Sequence, residues 1–127
     1  MRLVGEINSY RDLKVWQDGM TLVEDCYRLS KEFPKEGLFG LTSQLRRAAV
    51  SVPANIAEGY GRDSRGSYVN FLRNAQGSLK ELETHLILAQ RLKFGSFDLA
   101  SQLLARSETI GRMLRSLIRS LERAVEA

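Results

Sequence analysis

Few residues in this chain have types and spacing suited to chemistry, and most of them argue against a reaction. The single histidine, His85, follows Glu81 by four positions and Glu83 by two, so only Glu81 shares its helical face. Di-iron sites in helical bundles need Glu-x-x-His pairs and further inward carboxylates to balance the metal charge. That pattern is missing, and Glu81/His85 reads as a surface pair; no metal is assigned. Cys26 lies among apolar neighbours, where burial leaves a thiol inert, and nothing orients the distant His85 toward it. Gly59, Gly61 and Gly66 follow a helical pattern rather than a strand and lack a Gly-Lys-Ser/Thr ending, so they read as helix termination rather than a phosphate loop. With no paired acid, base or nucleophile, the expectation is a protein that is not an enzyme and uses no cofactor.

The basic residues remain. The formal net charge is +4, and residues 37–93 supply nearly all of it, with 8 basic against 4 acidic side chains. Arg46 and Arg47 are adjacent, Arg62 and Arg65 flank a short polar loop, and Arg73 and Lys80 stand seven apart on one polar face. Arginine can grip phosphate in two-pronged fashion, and Tyr60 offers a stacking surface, so the set is a candidate nucleic-acid-binding surface. Arg112, Arg115, Arg119 and Arg123 add more charge near the C-terminus, but Glu108, Glu122 and Glu126 interrupt that face, which reads as ordinary solvation. Ordinary solvation is the plain alternative for the other basic residues too.

Four helices must position these residues. The chain has 127 residues, 43% hydrophobic and 27% charged with two prolines, a size and composition that suit one globular domain spanning 1–127. The lone cysteine excludes an internal disulfide and fits a reducing compartment; no stretch resembles a signal peptide or a membrane span. A cytoplasmic protein with no membrane partner is expected.

Leu13, Trp16, Met20, Val23 and Tyr27 recur in steps of three and four and predict a helix over about 13–33, capped by Asp12 and ended by Pro34. Leu41, Leu45, Ala48, Ala49, Val52 and Ile56 predict a second over about 38–58. Pro53 should kink or break it near Ser51, and Gly59 and Gly61 should close it in left-handed conformations. Tyr68, Leu72, Ala75, Leu79, Leu82, Leu86 and Ala89 mark a third over about 67–93, with Ser64 or Ser67 as its cap. Leu99, Leu103, Ile110, Leu114, Leu117 and Leu121 mark a fourth over about 98–124, with Ser96 or Asp98 at its start. Short connections between long amphipathic helices predict an all-α, antiparallel, up-down-up-down four-helix bundle.

The first helix carries a second apolar row, Leu22, Cys26, Leu29 and Phe33, beside the first. Its apolar arc exceeds the stripe of about 100° that one core requires. This surplus predicts self-association through the outer face of the first helix, with Val15 and Phe39 contributing; a broader contact within the chain is the alternative.

Three stretches resemble a known family. They are Tyr10-Arg11-Asp12-Leu13-Lys14-Val15-Trp16, the run from Leu41 to Gly59 containing Gln44-Leu45-Arg46-Arg47-Ala48-Ala49 and Pro53-Ala54-Asn55-Ile56-Ala57-Glu58-Gly59, and Gly77-Ser78-Leu79-Lys80-Glu81-Leu82-Glu83-Thr84. Over about residues 8–121 the chain resembles the 23S rRNA intervening-sequence proteins, related to the accessory variability determinant proteins of diversity-generating retroelements. Ala54 stands where the family pattern often has serine. The resemblance implies a four-helix bundle that assembles as a homopentamer. By analogy with the retroelement relatives it also implies a basic accessory factor that binds RNA or DNA and partners a reverse transcriptase. Carried onto matching positions, it makes Arg46 and Arg47 the leading phosphate contacts, while Asn55 and Glu58 hold the second helix to its neighbour. Replacing Arg46 and Arg47 by glutamate is therefore expected to weaken RNA binding without melting the bundle. The competing reading is an oligomeric protein-binding scaffold whose charge serves solubility.

Overall fold

The computed structural model describes residues 6–35 and 38–126. A short 3-10 turn, Tyr10–Asp12, precedes α1 (Lys14–Ser30); a π-type turn, Leu38–Thr42, leads into α2 (Ser43–Tyr60), and α3 (Arg65–Leu92) and α4 (Phe97–Glu126) follow. No strand is present among the described residues, and no helix among them is long and apolar enough to cross a membrane.

Helix ends follow local chemistry, with several departures from expectation. Asp12 does not cap α1. Its carboxylate accepts from the backbone N–H groups of Asn8 and Ser9 at 3.0 and 3.1 Å and closes a capping box on the preceding turn, leaving Leu13 as the N-cap. α1 stops at Ser30, short of Phe33. Ser64 caps α3 by accepting from Ser67 N–H at 3.1 Å, and Ser96 accepts from Leu99 N–H at 3.1 Å at the start of α4. Between them Lys93 takes a left-handed conformation with φ 60°, followed by Gly95 at φ 70°. A side chain on Gly95 would also meet Leu29 and Phe33 at 3.1 Å, so the α3–α4 corner is moulded onto the end of α1.

Of the kink or short break expected near Pro53, the break is absent: α2 is helical from Ser43 to Tyr60, and irregular backbone occurs at Gly40, with φ and ψ both −107°. Pro53 is buried, its ring facing Gly19 of α1. Nor do Gly59 and Gly61 close α2 in left-handed conformations: Gly59 lies inside the helix and Gly61 has φ −78°. Gly59 serves packing, because a Cβ there would come within 2.7 Å of the Phe71 Cβ.

Helices adjacent in sequence pack together, and α1 also packs on α4. Across the α1–α2 and α3–α4 contacts one helix's numbering rises as the other's falls: Gly19 meets Pro53 while Ser30 meets Arg46, and Arg73 meets Glu122 while Glu83 meets Ser107. Leucines dominate the shared core, with Leu22, Leu45, Leu72, Leu82, Leu103 and Leu114 fully buried. At about 25 cal/mol per Å² of apolar surface, such burial supplies most of the drive that single helices lack in water.

The inward row of α1 is the reverse of the expected one. Val15, Leu22, Cys26, Leu29 and Phe33, expected at an interface between copies, are all buried in the core of a single chain. The row that defined the helix lies on the flank, where Leu13, Trp16 and Val23 are half-buried and Met20 and Tyr27 remain exposed. The side chain of Phe39 lies outside the described residues.

Each of the four helix contacts also carries a polar tie. Arg46 Nε donates to Ser30 Oγ at 2.7 Å between α2 and α1, and the hydroxyls of Ser51 and Ser78 share a 2.8 Å hydrogen bond between α2 and α3. Ser107 Oγ donates to Glu83 at 2.7 Å between α4 and α3, and Arg106 pairs with Asp25 between α4 and α1.

Candidate nucleic-acid interface

The six basic side chains singled out in the sequence do not form one patch; the bundle distributes them over three places. Arg46 and Arg47 enter a groove beside the α1–α2 contact, about 600 Å³ in volume, with Tyr27, Thr42, Ser43, Val50 and Ser51. Arg62 lies at the α2–α3 corner, whereas Arg65 shares a depression with Arg73, Leu121 and Glu122 along the α3–α4 contact. Arg73 and Lys80 line a groove between α3 and α4 of about 700 Å³.

Arg46 is committed to the fold. Besides its bond to the buried Ser30, its guanidinium carbon lies 4.5 Å from the centre of the Tyr27 ring, a cation–π contact across the α1–α2 groove. Arg46→Glu would lose the cation–π contact and the guanidinium bond, so the Arg46 half of the double change carries a stability cost. Arg47 is exposed and opens onto a second depression with Gln44, Ser51 and Glu81.

Arg62 pairs with Glu58 at 2.9 Å and lies over the Phe71 ring at 4.7 Å. Glu58 thus serves the corner rather than a helix–helix tie. Asn55 acts through a neighbour: its amide donates to the Ser51 carbonyl and hydroxyl at 2.8 and 2.9 Å, and Ser51 is the residue that reaches α3. Tyr60 is taken up in an edge-on contact with Tyr68, ring centres 6.0 Å apart, and is half-buried. Burial, and secondarily Tyr60, pushes the Tyr68 hydroxyl up to about 12.

The α3–α4 groove gathers more charge than the sequence indicated. Arg73 and Lys80 from α3 face Arg112 and Arg115 from α4, with Glu108 the one carboxylate in the lining. The two α3 cations have partners, Glu122 at 3.1 Å and Glu83 at 3.1 Å. Arg73 and Glu122 are 54% and 47% exposed and Lys80 is 73% exposed, so these pairs contribute little to stability and can exchange for another anion. By sequence alone Arg112 and Arg115 belong to a solvated face interrupted by acids. Their offset of three does place them on one side of α4, but the pairing of that side with α3 is a tertiary fact.

The two residues considered for catalysis are internal. Burial pushes the Cys26 thiol up to about 12, outweighing the lowering by Arg106, while Asp25 adds to the rise. His85 is buried rather than on the surface; its Nε2 lies 3.6 Å from Glu81 and has no hydrogen-bond partner. Among the described residues no three His, Cys, Asp or Glu side chains stand close enough to hold a metal ion.

Comparison with known proteins places this geometry in context. Residues 11–116 match the model of the family described as 23S rRNA-intervening sequence protein. Among solved structures, a crystal structure from Bacteroides thetaiotaomicron VPI-5482, described as a protein of unknown function from the S23 ribosomal protein family, superposes with a TM-score of 0.76 at 25% identity. That match covers 82% of this chain and 97% of the other. No curated protein matches the chain.

Proposed function

Because the chain belongs to the 23S rRNA-intervening sequence protein family, we propose that it is a non-enzymatic accessory protein that binds structured nucleic acid, RNA foremost, through basic grooves on a four-helix bundle. The observation that supports this most is the α3–α4 groove, lined by four cations and one carboxylate, with two of the cations paired to Glu122 and Glu83 at its edge. Phosphate neutralisation by such side chains gives affinity without base sequence and with steep salt dependence.

The reading includes self-association into a homo-oligomer, the pentamer implied by the family resemblance. Its support on the surface is the flank of α1 and α2, where Met20, Tyr27 and Val50 are each about two-fifths exposed. Several copies would combine individually weak grooves through multivalency. A protein-binding scaffold is the second reading, favoured by exposed Ile87, Leu88, Leu92 and Phe97 around the end of α3 and the start of α4.

The test is fluorescence anisotropy of labelled hairpin RNA titrated with the full chain at several salt concentrations, beside light scattering of the free protein. Affinity falling steeply with salt supports the reading. Undetectable binding at low salt, together with recovery of a protein partner that survives nuclease treatment, would replace it with the scaffold.

A further inference from the structure

Gly77 in α3 and Gly111 in α4 line the same groove as the four cations, and the packing of this chain does not explain either. A Cβ on Gly77 would meet nothing within 4 Å, and one on Gly111 would make only an ordinary 3.8 Å contact with Leu79. Both lie inside helices with negative φ, so neither supplies a special backbone conformation. Glycine in a helix interior is less favourable than alanine. Gly59 and Gly95 differ, since a side chain at either would collide with its own fold. What Gly77 and Gly111 do is bring two stretches of bare backbone to the groove, beside Gln76, Leu79 and the charged side chains.

We propose that the α3–α4 groove seats one strand of sugar–phosphate backbone lengthwise, with Arg73, Lys80, Arg112 and Arg115 gripping successive phosphates and Gly77 and Gly111 giving the strand room to approach the helices. The pairing of Glu83 with Ser107 and of Arg73 with Glu122 places Lys80 near the level of Arg112, and Gly77 near that of Arg115. Arg73 follows about 10 Å further along α3, from the rise of 1.5 Å per residue. The result is a row of cations whose length suits neighbouring phosphates on one strand. Phosphate displaces Glu122 from its exposed pair with Arg73, an exchange that costs little in water, while Glu83 stays with Ser107 and the largely exposed Lys80 ammonium swings to the strand. Glu108 opposes phosphate and limits the affinity.

This inference rests on the nucleic-acid reading above and adds the place and the shape. The probes are a labelled 20-nucleotide single-stranded RNA, its DNA counterpart and a hairpin RNA, measured by anisotropy against the full chain. Gly77→Gln fills the groove without changing charge, Gly77→Ala with Gly111→Ala fills it minimally, and Ala54→Gln, exposed on α2, is the control. Each glycine replacement should raise the melting temperature by roughly 3–5 °C. Gly77→Gln should nonetheless weaken binding to RNA and DNA about tenfold, the alanine pair about threefold, and Ala54→Gln not at all. Wild-type binding that Arg112→Gln with Arg115→Gln lowers but Gly77→Gln leaves within twofold would overturn the seat while sparing the function. Absence of wild-type binding to every probe would overturn both.

Discussion

The two grooves that flank the bundle contain similar residue types and use them differently. On the α1–α2 side, Arg46 is drawn onto Tyr27 and Ser30 and becomes part of the wall, leaving Arg47 as the exposed charge. On the α3–α4 side, Arg73 pairs with the exposed Glu122, Lys80 keeps a largely exposed ammonium beside Glu83, and Arg112 and Arg115 line the same groove. Formal charge therefore says little about availability. A guanidinium that already has an aromatic face and a buried hydroxyl must give up both before it can serve a ligand.

The contrast is broken most severely by reversing charge in the α3–α4 groove. Arg112→Glu with Arg115→Glu should reduce RNA affinity about a hundredfold at about 100 mM salt and flatten its salt dependence, with thermal unfolding little changed. Anisotropy and circular dichroism on the same preparations check both halves. On the other side, Arg46→Ala should lower stability by about 1–3 kcal/mol in urea titrations while Arg47→Ala leaves it within about 0.5 kcal/mol. If Arg47→Ala were the destabilising change, the assignment of Arg46 to the wall would be wrong.

Glycines sharpen the same comparison at smaller magnitude. Gly59→Ala drives a Cβ against Phe71 and should cost about 1–3 kcal/mol, opposite in sign to the gain expected from filling the open α3–α4 groove. Glu108→Gln removes the one acid from that groove and should tighten RNA binding about threefold; weaker binding would make Glu108 a contact rather than an opponent.

A separate, pH-dependent effect concerns Cys26. The folded chain keeps this thiol protonated up to about 12, whereas an unfolded chain releases the proton near about 8.5, so the folded state binds the extra proton between those values. Stability should fall as pH rises through that window, with Tyr68 adding to the fall in its upper part. Urea midpoints at about pH 8 and about pH 10 should draw closer together in Cys26→Ala.

The helices were legible because three- and four-residue spacing of leucine is hard to satisfy any other way. The inward face of α1 was not. Its true seam runs Val15, Gly19, Leu22, Cys26, Leu29 and Phe33, and Gly19, having no side chain, interrupts an apolar count at the position where α2 brings Pro53 close. The competing row contains Trp16 and Tyr27, large residues that look like core and instead cover its margin. Spacing could not choose between two adjacent rows, because the choice belongs to the neighbouring helices. For the same reason Arg73 and Lys80 could be placed on one face of α3, but their meeting with Arg112 and Arg115 needed the fold. The match to the family model did not depend on that choice, since motifs such as Gln44-Leu45-Arg46-Arg47 identify ancestry without saying which arginine is free.

The polar ties at the four helix contacts have a mechanical consequence. Each helix contributes to two of them: Asp25 and Ser30, Arg46 and Ser51, Ser78 and Glu83, Arg106 and Ser107. Ratcheting any helix forward by one turn, about 5.4 Å, would tear both of its fastenings at once, while leucine rows alone would re-engage after such a slip. Pinned at its waist in this way, the bundle sets the gauge between α3 and α4 in advance, and an arriving strand meets rails already laid at their final separation.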